Sequence, residues 1–139
     1  MTSEKESFPA RELRISVLNE QRAEGFSDTV RETSFCSFRR SGDKFYISYK
    51  AEGSRVMLKV ERASISMKRT GEFGASILYI PGSETEFEYR TPYGSIPMSV
   101  FTKHLEYDLN EDGGVIEFGY IMNAGGDELT NMMRIIIER

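Results

Sequence analysis

Apolar and polar residues alternate along most of this chain with a period of two residues. Phe45, Ile47 and Tyr49 fall on one face of a segment, and a turn-forming run at 52–54 leads into segment 55–61, which alternates in the same way. A period of two residues is typical of β-strands that bury one face. The two segments together therefore predict a β-hairpin with one buried side.

The same pattern continues to the end of the chain. Segment 85–91 alternates strictly, and glycine-containing runs at 110–114 and 123–127 separate the last strands, as hairpin turns do. These segments predict the following inward-facing residues: Phe87, Tyr89, Ile96, Met98, Val100, Thr102, Ile116, Phe118, Tyr120, Met122, Leu129, Met133, Ile135 and Ile137.

The N-terminal part of the chain fits two interpretations. Residues 1–10 are mostly polar and include Pro9, which predicts a flexible N-terminal tail. Segment 11–24 has strand-like alternation at Leu13, Ile15 and Val17, but Leu13, Val17 and Leu18 would also share one face of a helix. We favour a strand at 13–19 and keep the helix as the alternative.

Short strands with turns every 8–12 residues or so are typical of a β-sandwich or a β-barrel. Consecutive strands joined by tight turns close most simply into an up-and-down barrel, whereas a Greek key needs longer connections. With 139 residues the chain suits one hydrophobic core. We therefore predict an all-β, antiparallel up-and-down β-barrel that forms a single domain at 11–139.

Charge and cysteine content narrow the classes of partner and compartment. The net charge is −4 and the charged residues are interspersed, so no broad basic face is expected, and nucleic acid is not a predicted partner. No apolar run approaches the roughly 20 residues that cross a bilayer, and we expect neither a membrane span nor a signal peptide. The lone Cys36 excludes an internal disulfide and favours a cytoplasmic protein.

The residues that usually carry chemistry are sparse. His104 is the only histidine, and no serine lies in a nucleophile-elbow context. Segment 108–113 matches the opening of a calcium loop, but Gly119 stands where the closing carboxylate belongs, so a hairpin turn is the better interpretation. Glu84, Glu86 and Glu88 share the outward face of one strand. We predict no catalytic residues, no metal and no cofactor, and we do not expect an enzyme.

Polar side-chain ends on the predicted inner faces suggest a ligand site. A barrel of about eight or more strands can enclose a small molecule, and an inward arginine needs a partner such as an anionic ligand group. The hypothesis is a site for a small apolar or weakly anionic ligand, formed by Arg69, Tyr89, Thr91, Tyr93 and Thr102.

The alternative is an interaction or structural module with a solidly packed barrel and no ligand. Its tyrosines would then fill the core, and Arg69 would point outward at a strand end. Such a protein would act through its surface, either as a homo-oligomer paired through an edge strand near Pro97 or through the outward-facing Met57 and Met132.

Several short runs of this sequence resemble one known family. They are Phe45-Tyr46-Ile47-Ser48-Tyr49, Lys68-Arg69-Thr70-Gly71, Thr91-Pro92-Tyr93-Gly94-Ser95-Ile96-Pro97-Met98 and Phe101-Thr102-Lys103. Together they resemble the YwiB-like family of uncharacterised bacterial proteins, over about residues 13–139. This resemblance implies a lipocalin-like or calycin-like antiparallel barrel in a small cytoplasmic protein, and it implies no activity, cofactor or catalytic residue.

Overall fold

The computed structural model describes residues 7–139, and the regular structure in this part of the chain is β-strand. Ten strands are formed: β1 Phe8–Ala23, β2 Phe26–Ser41, β3 Lys44–Ala51, β4 Ser54–Glu61, β5 Ser64–Gly71, β6 Ala75–Tyr79, β7 Glu84–Thr91, β8 Gly94–Asn110, β9 Gly113–Ala124 and β10 Asp127–Glu138.

The strands form a nearly closed antiparallel barrel. Their order is β6-β5-β4-β3-β2-β1-β10-β9-β8-β7, so neighbours along the chain pair as hairpins and the first strand pairs with the last. The gap, which we call the seam, lies between β6 and β7. Among the described residues, the backbone pairing here is limited to isolated bridges, Gly74 with Arg90 and Pro81 with Thr102, and the Thr85 hydroxyl of β7 donates to the Leu78 carbonyl of β6. The predicted all-β antiparallel barrel is therefore confirmed.

The up-and-down path gives the barrel two different ends. The start of β1 and the end of β10 lie together at one end, which we call the terminal end, because Arg14 pairs with Glu138. The turns within the β1–β2, β3–β4, β5–β6, β7–β8 and β9–β10 hairpins lie at the other end, which we call the distal end.

Aromatic side chains fill the middle of the barrel. The ring of Tyr79 contacts Phe118 and Tyr120, each at a centroid distance of 4.9 Å. All three side chains are buried, and the alternating residues of the other strands close around them. Burying one such side chain contributes about 1.5–3 kcal/mol, so this packing supplies much of the stability.

The N-terminal strand starts earlier than the sequence predicted. Phe8 begins β1, is buried, and packs on Phe38 at a centroid distance of 5.4 Å, so 8–10 belong to the barrel rather than to the predicted tail at 1–10. Pro9 is tolerated because pairing with β2 is irregular between Phe8 and Arg11. Residues 1–6 of that tail lie outside the described residues. The strand alternative for 13–19 is correct, and β1 continues to Ala23.

Two strands extend beyond a neighbour. β2 pairs with β3 only as far as Cys36 and Tyr49, so 26–35 pair with β1 alone. Similarly, β8 meets β9 only from Ser99 onward, which leaves 94–98 paired with β7 alone. Pro97, which has no N–H to donate, lies in this edge segment, as predicted.

A bulge in β8 changes which residues face inward. The register with β9 shifts between Thr102 and His104, so the inner face continues from Thr102 to Leu105. The extra residue, Lys103, is exposed, as is His104. A bulge of this kind bends the strand, which helps a sheet to close into a barrel.

Candidate functional site

The divergence of β2 and β3 leaves an opening in the barrel wall near the distal end. On its inner side lies a depression of about 340 Å³, and on its outer side one of about 490 Å³. Both are lined by Ser34, Tyr49 and Lys50. The opening therefore connects the inner and outer surfaces of the wall at the point where strand pairing stops.

Tyr49 links this opening to the interior. Its side chain is buried, and burial is the main cause that raises its pKa to about 12. The Glu32 carboxylate adds to the increase, whereas the Arg69 guanidinium opposes it. Tyr49 thus lies in the combined field of an anion and a cation, both on the inner side of the wall.

Arg69 faces the interior, as the ligand hypothesis required. It is half-buried on β5 in the same cross-strand row as Tyr49, with Val56 between them, and its charge also acts on the buried Tyr79. Its guanidinium forms no hydrogen bond and no ion pair with the described residues. A half-buried guanidinium without a carboxylate partner is a candidate anchor for an anion.

Tyr89 is close to Arg69 in the wall. Arg69 pairs with Ala75, and the Gly74–Arg90 bridge puts Tyr89 beside Ala75 across the seam. The half-buried Tyr89 ring stacks on Phe73 at a centroid distance of 6.0 Å. The small Ala75 side chain therefore separates a cation from a stacked aromatic pair.

Thr91 and Tyr93 lie at the distal tip of the β7–β8 hairpin. The Thr91 hydroxyl donates to the Gly94 carbonyl at 2.9 Å and accepts from the Tyr93 N–H at 3.1 Å, so it shapes the turn. The Tyr93 side chain is 98% exposed and contributes nothing to an interior wall.

Thr102 lies deeper, beside the seam. Its N–H donates to the Ser83 carbonyl and its carbonyl accepts from the Gly82 N–H, which ties the β6–β7 connection to β8. The side chain is fully buried next to Tyr120, and its Oγ1 has no hydrogen-bond partner among the described residues. The structure thus brings Arg69 and Tyr89 together, places Thr102 further inside, and leaves Thr91 and Tyr93 at the rim.

The tyrosines near Thr102 pack against each other. The rings of Tyr79 and Tyr120 have a centroid distance of 4.9 Å, and burial raises the pKa of both phenols, that of Tyr120 to about 12. Both phenols therefore stay protonated at neutral pH and act as hydrogen-bonding groups.

A buried amide cluster was missed by the sequence reading. Asn131, on β10, accepts hydrogen bonds from Asn19 at 3.2 Å and Gln21 at 3.3 Å and donates to the Leu129 carbonyl. The Oδ1 atom of Asn19 is buried without a partner in the described part of the chain. The period-two alternation on β1 and β10 places these residues on the inward-facing side, but their polar side chains suggested that they lie on the surface.

The charges on the outer surface are segregated, contrary to the expectation that they are interspersed. Cations predominate on the outward faces of β2–β5, and carboxylates predominate on the outward faces of β7–β9; the exceptions are Glu61, Arg90 and Lys103. The exposed or half-buried cations are Arg31, Arg39, Lys44, Lys50, Arg55, Lys59 and Lys68, and the carboxylates are Glu84, Glu86, Glu88, Glu106, Asp108 and Glu117.

Within residues 7–139, no group of three or more His, Cys, Asp or Glu side chains is placed to hold a metal ion. Segment 108–113 comprises the end of β8, the turn at 111–112 and the first residue of β9. None of the residues 7–139 belongs to a helix long and apolar enough to span a membrane.

The fold defines the class: an antiparallel β-barrel protein. Residues 15–135 match the family described as "Domain of unknown function (DUF1934)", and the chain belongs to that family. It is 26% identical over 102 residues to "Uncharacterized beta-barrel protein YwiB" of Bacillus subtilis (strain 168), covering 70% of each chain. It also matches the crystal structure of ywiB protein from Bacillus subtilis with a TM-score of 0.87 at 20% identity, covering 95% of this chain and 94% of that one. The resemblance found in the sequence is therefore confirmed.

Proposed function

We propose that this protein binds a small molecule with an anionic group and an apolar body at the distal end of the barrel. The observation that carries the proposal is Arg69, a half-buried, inward-facing guanidinium without an ionic partner among residues 7–139. Leaving such a charge uncompensated is costly, and a ligand carboxylate or phosphate would compensate it.

The surroundings of Arg69 suit the rest of such a ligand. Tyr49 and the Phe73–Tyr89 stack supply aromatic walls, and the inner depression of about 340 Å³ falls within the size range of small-molecule sites. Glu32 and Tyr49 line this depression, and Arg69 lies beyond Tyr49 in the same cross-strand row, so the anionic group would extend from the depression past Tyr49 toward Arg69. The middle of the barrel is filled by Tyr79 and Phe118, which favours a site at the mouth rather than in the centre.

The family resemblance implies a calycin-like barrel, and this analogy at the level of the fold also supports binding of a small molecule. Of the residues first proposed for the site, Arg69 and Tyr89 fit this location best. Thr102 would meet only a ligand or water that reaches past Tyr120. Thr91 and Tyr93 lie at the rim, where they shape the β7–β8 turn.

The test compares Arg69→Met with Lys103→Met. Methionine keeps the apolar length of either side chain, and Lys103 is an exposed cation on β8, away from the opening beside Tyr49. Native mass spectrometry of the purified wild-type protein would reveal a co-purifying molecule, and a thermal-shift panel of carboxylates and organic phosphates would reveal one added later. We expect a ligand or a Tm increase with wild type and Lys103→Met that is lost with Arg69→Met. No bound species and no shift with any compound, or equal loss in both variants, would refute the proposal.

A second candidate is a homo-oligomer formed through an edge strand, and one observation favours it. Segment 26–35 of β2 has an unpaired edge and carries the exposed side chains of Phe26, Val30 and Phe35. Such edges can pair with a second chain. Analytical sedimentation of the wild-type protein and of Val30→Pro would test this candidate. A wild-type dimer that the proline converts to a folded monomer supports pairing through this edge. A wild-type protein that is still monomeric at about 100 μM contradicts it.

A further inference from the structure

The outward faces of β3–β6 form a groove that is both apolar and basic. It has a volume of about 440 Å³, and its apolar outward-facing residues are Tyr46, Met57 and Leu78. Lys59 and Lys68 line it as well. We call this surface the basic groove. It is separate from the opening beside Tyr49, and it lies on the outside of the barrel.

The register shows how apolar and cationic groups alternate across this groove. In one row, Met57 pairs with Lys68, which pairs with Ser76. In the next row, Tyr46 pairs with Lys59, which pairs with Ser66. The Cβ atoms of paired residues on one face lie about 5 Å apart, so Met57 and Tyr46 each have a lysine as a direct cross-strand neighbour, whereas Leu78 pairs with Ser66.

The cations around the groove are weakly neutralised. Glu61 lies 3.8 Å from Lys59, but Lys50, Arg55 and Lys68 have no ion pair within the described residues. Lys50 and Arg55 do not line the groove; they face each other across β3 and β4 at the outer side of the opening beside Tyr49, and so extend the positive surface next to the groove. Within the groove itself, Lys68 is the ammonium group that a bound carboxylate would neutralise.

We infer that the basic groove binds an acidic, amphipathic segment of another protein. An apolar floor with a charged rim is the usual composition of a protein-binding patch, and exposed methionine adapts to varied partners. Carboxylates that alternate with apolar residues along an extended segment match the alternation of the rows. The acidic outward face of β7, with Glu84, Glu86 and Glu88, follows β6 across the seam and limits the groove on that side.

The same contacts argue against nucleic acid. Binding of single strands relies on open aromatic faces on which bases stack. One face of the Tyr46 ring is covered by Arg39, whose Cζ lies 4.0 Å from the ring centroid. The other apolar groups of the groove are aliphatic or thioether side chains. They suit leucine or valine side chains better than bases.

The experiment uses the full chain and defined probes. The first is a fluorescein-labelled peptide of alternating leucine and glutamate, and the second replaces glutamate with lysine. The others are oligodeoxythymidine and phosphatidylserine vesicles. Fluorescence anisotropy measures binding of the peptides and the oligonucleotide, and co-sedimentation measures binding of the vesicles. We expect saturable binding of the acidic peptide that weakens with salt, and no comparable binding of the basic one.

Matched variants locate the binding. Lys68→Glu and Met57→Ser change the groove, whereas Lys103→Glu and Met132→Ser make the same changes at exposed positions on β8 and β10. We expect the groove variants to lower the affinity for the acidic peptide by about tenfold or more. The control variants should lower this affinity by less than about twofold. Backbone amide NMR shifts should map to β4–β6.

Four outcomes would overturn the inference. The first is no saturable binding of the acidic peptide, and the second is equal loss of binding in groove and control variants. The third is tighter, Lys68-dependent binding of oligodeoxythymidine or vesicles, which would assign the groove to a polyanion instead. The fourth is self-association that is lost in Lys68→Glu and restored by adding Glu86→Lys, which would assign the groove to a second copy of this chain. None of these four results tests the proposed ligand site at Arg69, because Arg69 faces the opposite side of the barrel wall.

Discussion

Cys36 and Tyr49 form the last backbone pair between β2 and β3, and the wall of the barrel opens directly beyond them. Both side chains are buried on the inner face, so the end of the pairing is also a limit of the core. Tyr49 lines the depressions on both sides of the wall, and Cys36 lines the larger one. A probe of Cys36 therefore reports whether β2 and β3 stay together.

The Cys36 thiol should react slowly in the folded protein. Burial is the main cause that raises its pKa to about 11, so at pH 8 only about one thiol in a thousand is ionised. We expect labelling by a disulfide reagent at pH 8 to be at least about a hundredfold slower than for free cysteine. The protein unfolded in guanidinium chloride is the control and should react at the free rate. Rapid labelling of native protein would mean that the β2–β3 pairing opens readily.

Alkaline pH should destabilise the barrel through its buried tyrosines. The pKa is raised from 10.0 to about 12 for Tyr49 and Tyr120, chiefly by burial. Above pH 10 the unfolded state releases these phenolic protons while the folded state keeps them, so the free energy of unfolding falls between pH 10 and about 12. The slope reaches at most about 1.4 kcal/mol per pH unit for each tyrosine.

Guanidinium denaturation at pH 8, 9, 10 and 11 measures this slope. Tyr120→Phe should reduce it, because phenylalanine has no proton to release. Tyr93→Phe should leave it unchanged, because that side chain is 98% exposed. A free energy of unfolding that stays constant up to pH 11 would show that the buried tyrosines ionise as easily as in the unfolded chain.

Local patterns in the sequence were enough to predict most strands and their inner faces. Phe45, Ile47 and Phe87 are buried as their alternation predicted, and the outward-facing Met57 and Met132 are 38% and 41% exposed. Glycine-containing turns were also located correctly, because their backbone needs are local: Gly53 and Gly125 have φ values of 71° and 61°, which favour glycine.

Features that depend on strand length and tilt could not be predicted in this way. Ile96 was expected to be interior but is 45% exposed, because β8 extends beyond β9 at that point. The seam, the opening beside Tyr49 and the segregated charges also follow from which strands meet and where pairing ends. Barrel closure sets these relationships through contacts between residues far apart in the chain.

Two phenylalanines on β2 should differ strongly in their contribution to stability. Phe38 is fully buried between Phe8 and Phe45, with centroid distances of 5.4 and 5.9 Å, whereas Phe35 is 62% exposed. Phe38→Ala should lower the free energy of unfolding by about 3–5 kcal/mol, and Phe35→Ala should change it by no more than about 0.5 kcal/mol. Urea unfolding followed by circular dichroism measures both. Similar losses in the two variants would contradict the strand's inward and outward assignment.

The Thr102 hydroxyl should be dispensable for folding. Its Oγ1 is buried without a hydrogen-bond partner among the described residues, so Thr102→Val removes an unsatisfied polar atom and keeps the branched shape. We expect a free energy of unfolding that is unchanged or higher by about 1 kcal/mol. Thr91→Val is the contrasting variant, because it removes a hydroxyl that donates to Gly94 and accepts from Tyr93, and it should cost about 1 kcal/mol. If Thr102→Val destabilised the protein instead, the hydroxyl would have a partner in solution, such as an ordered water or a bound molecule reaching past Tyr120.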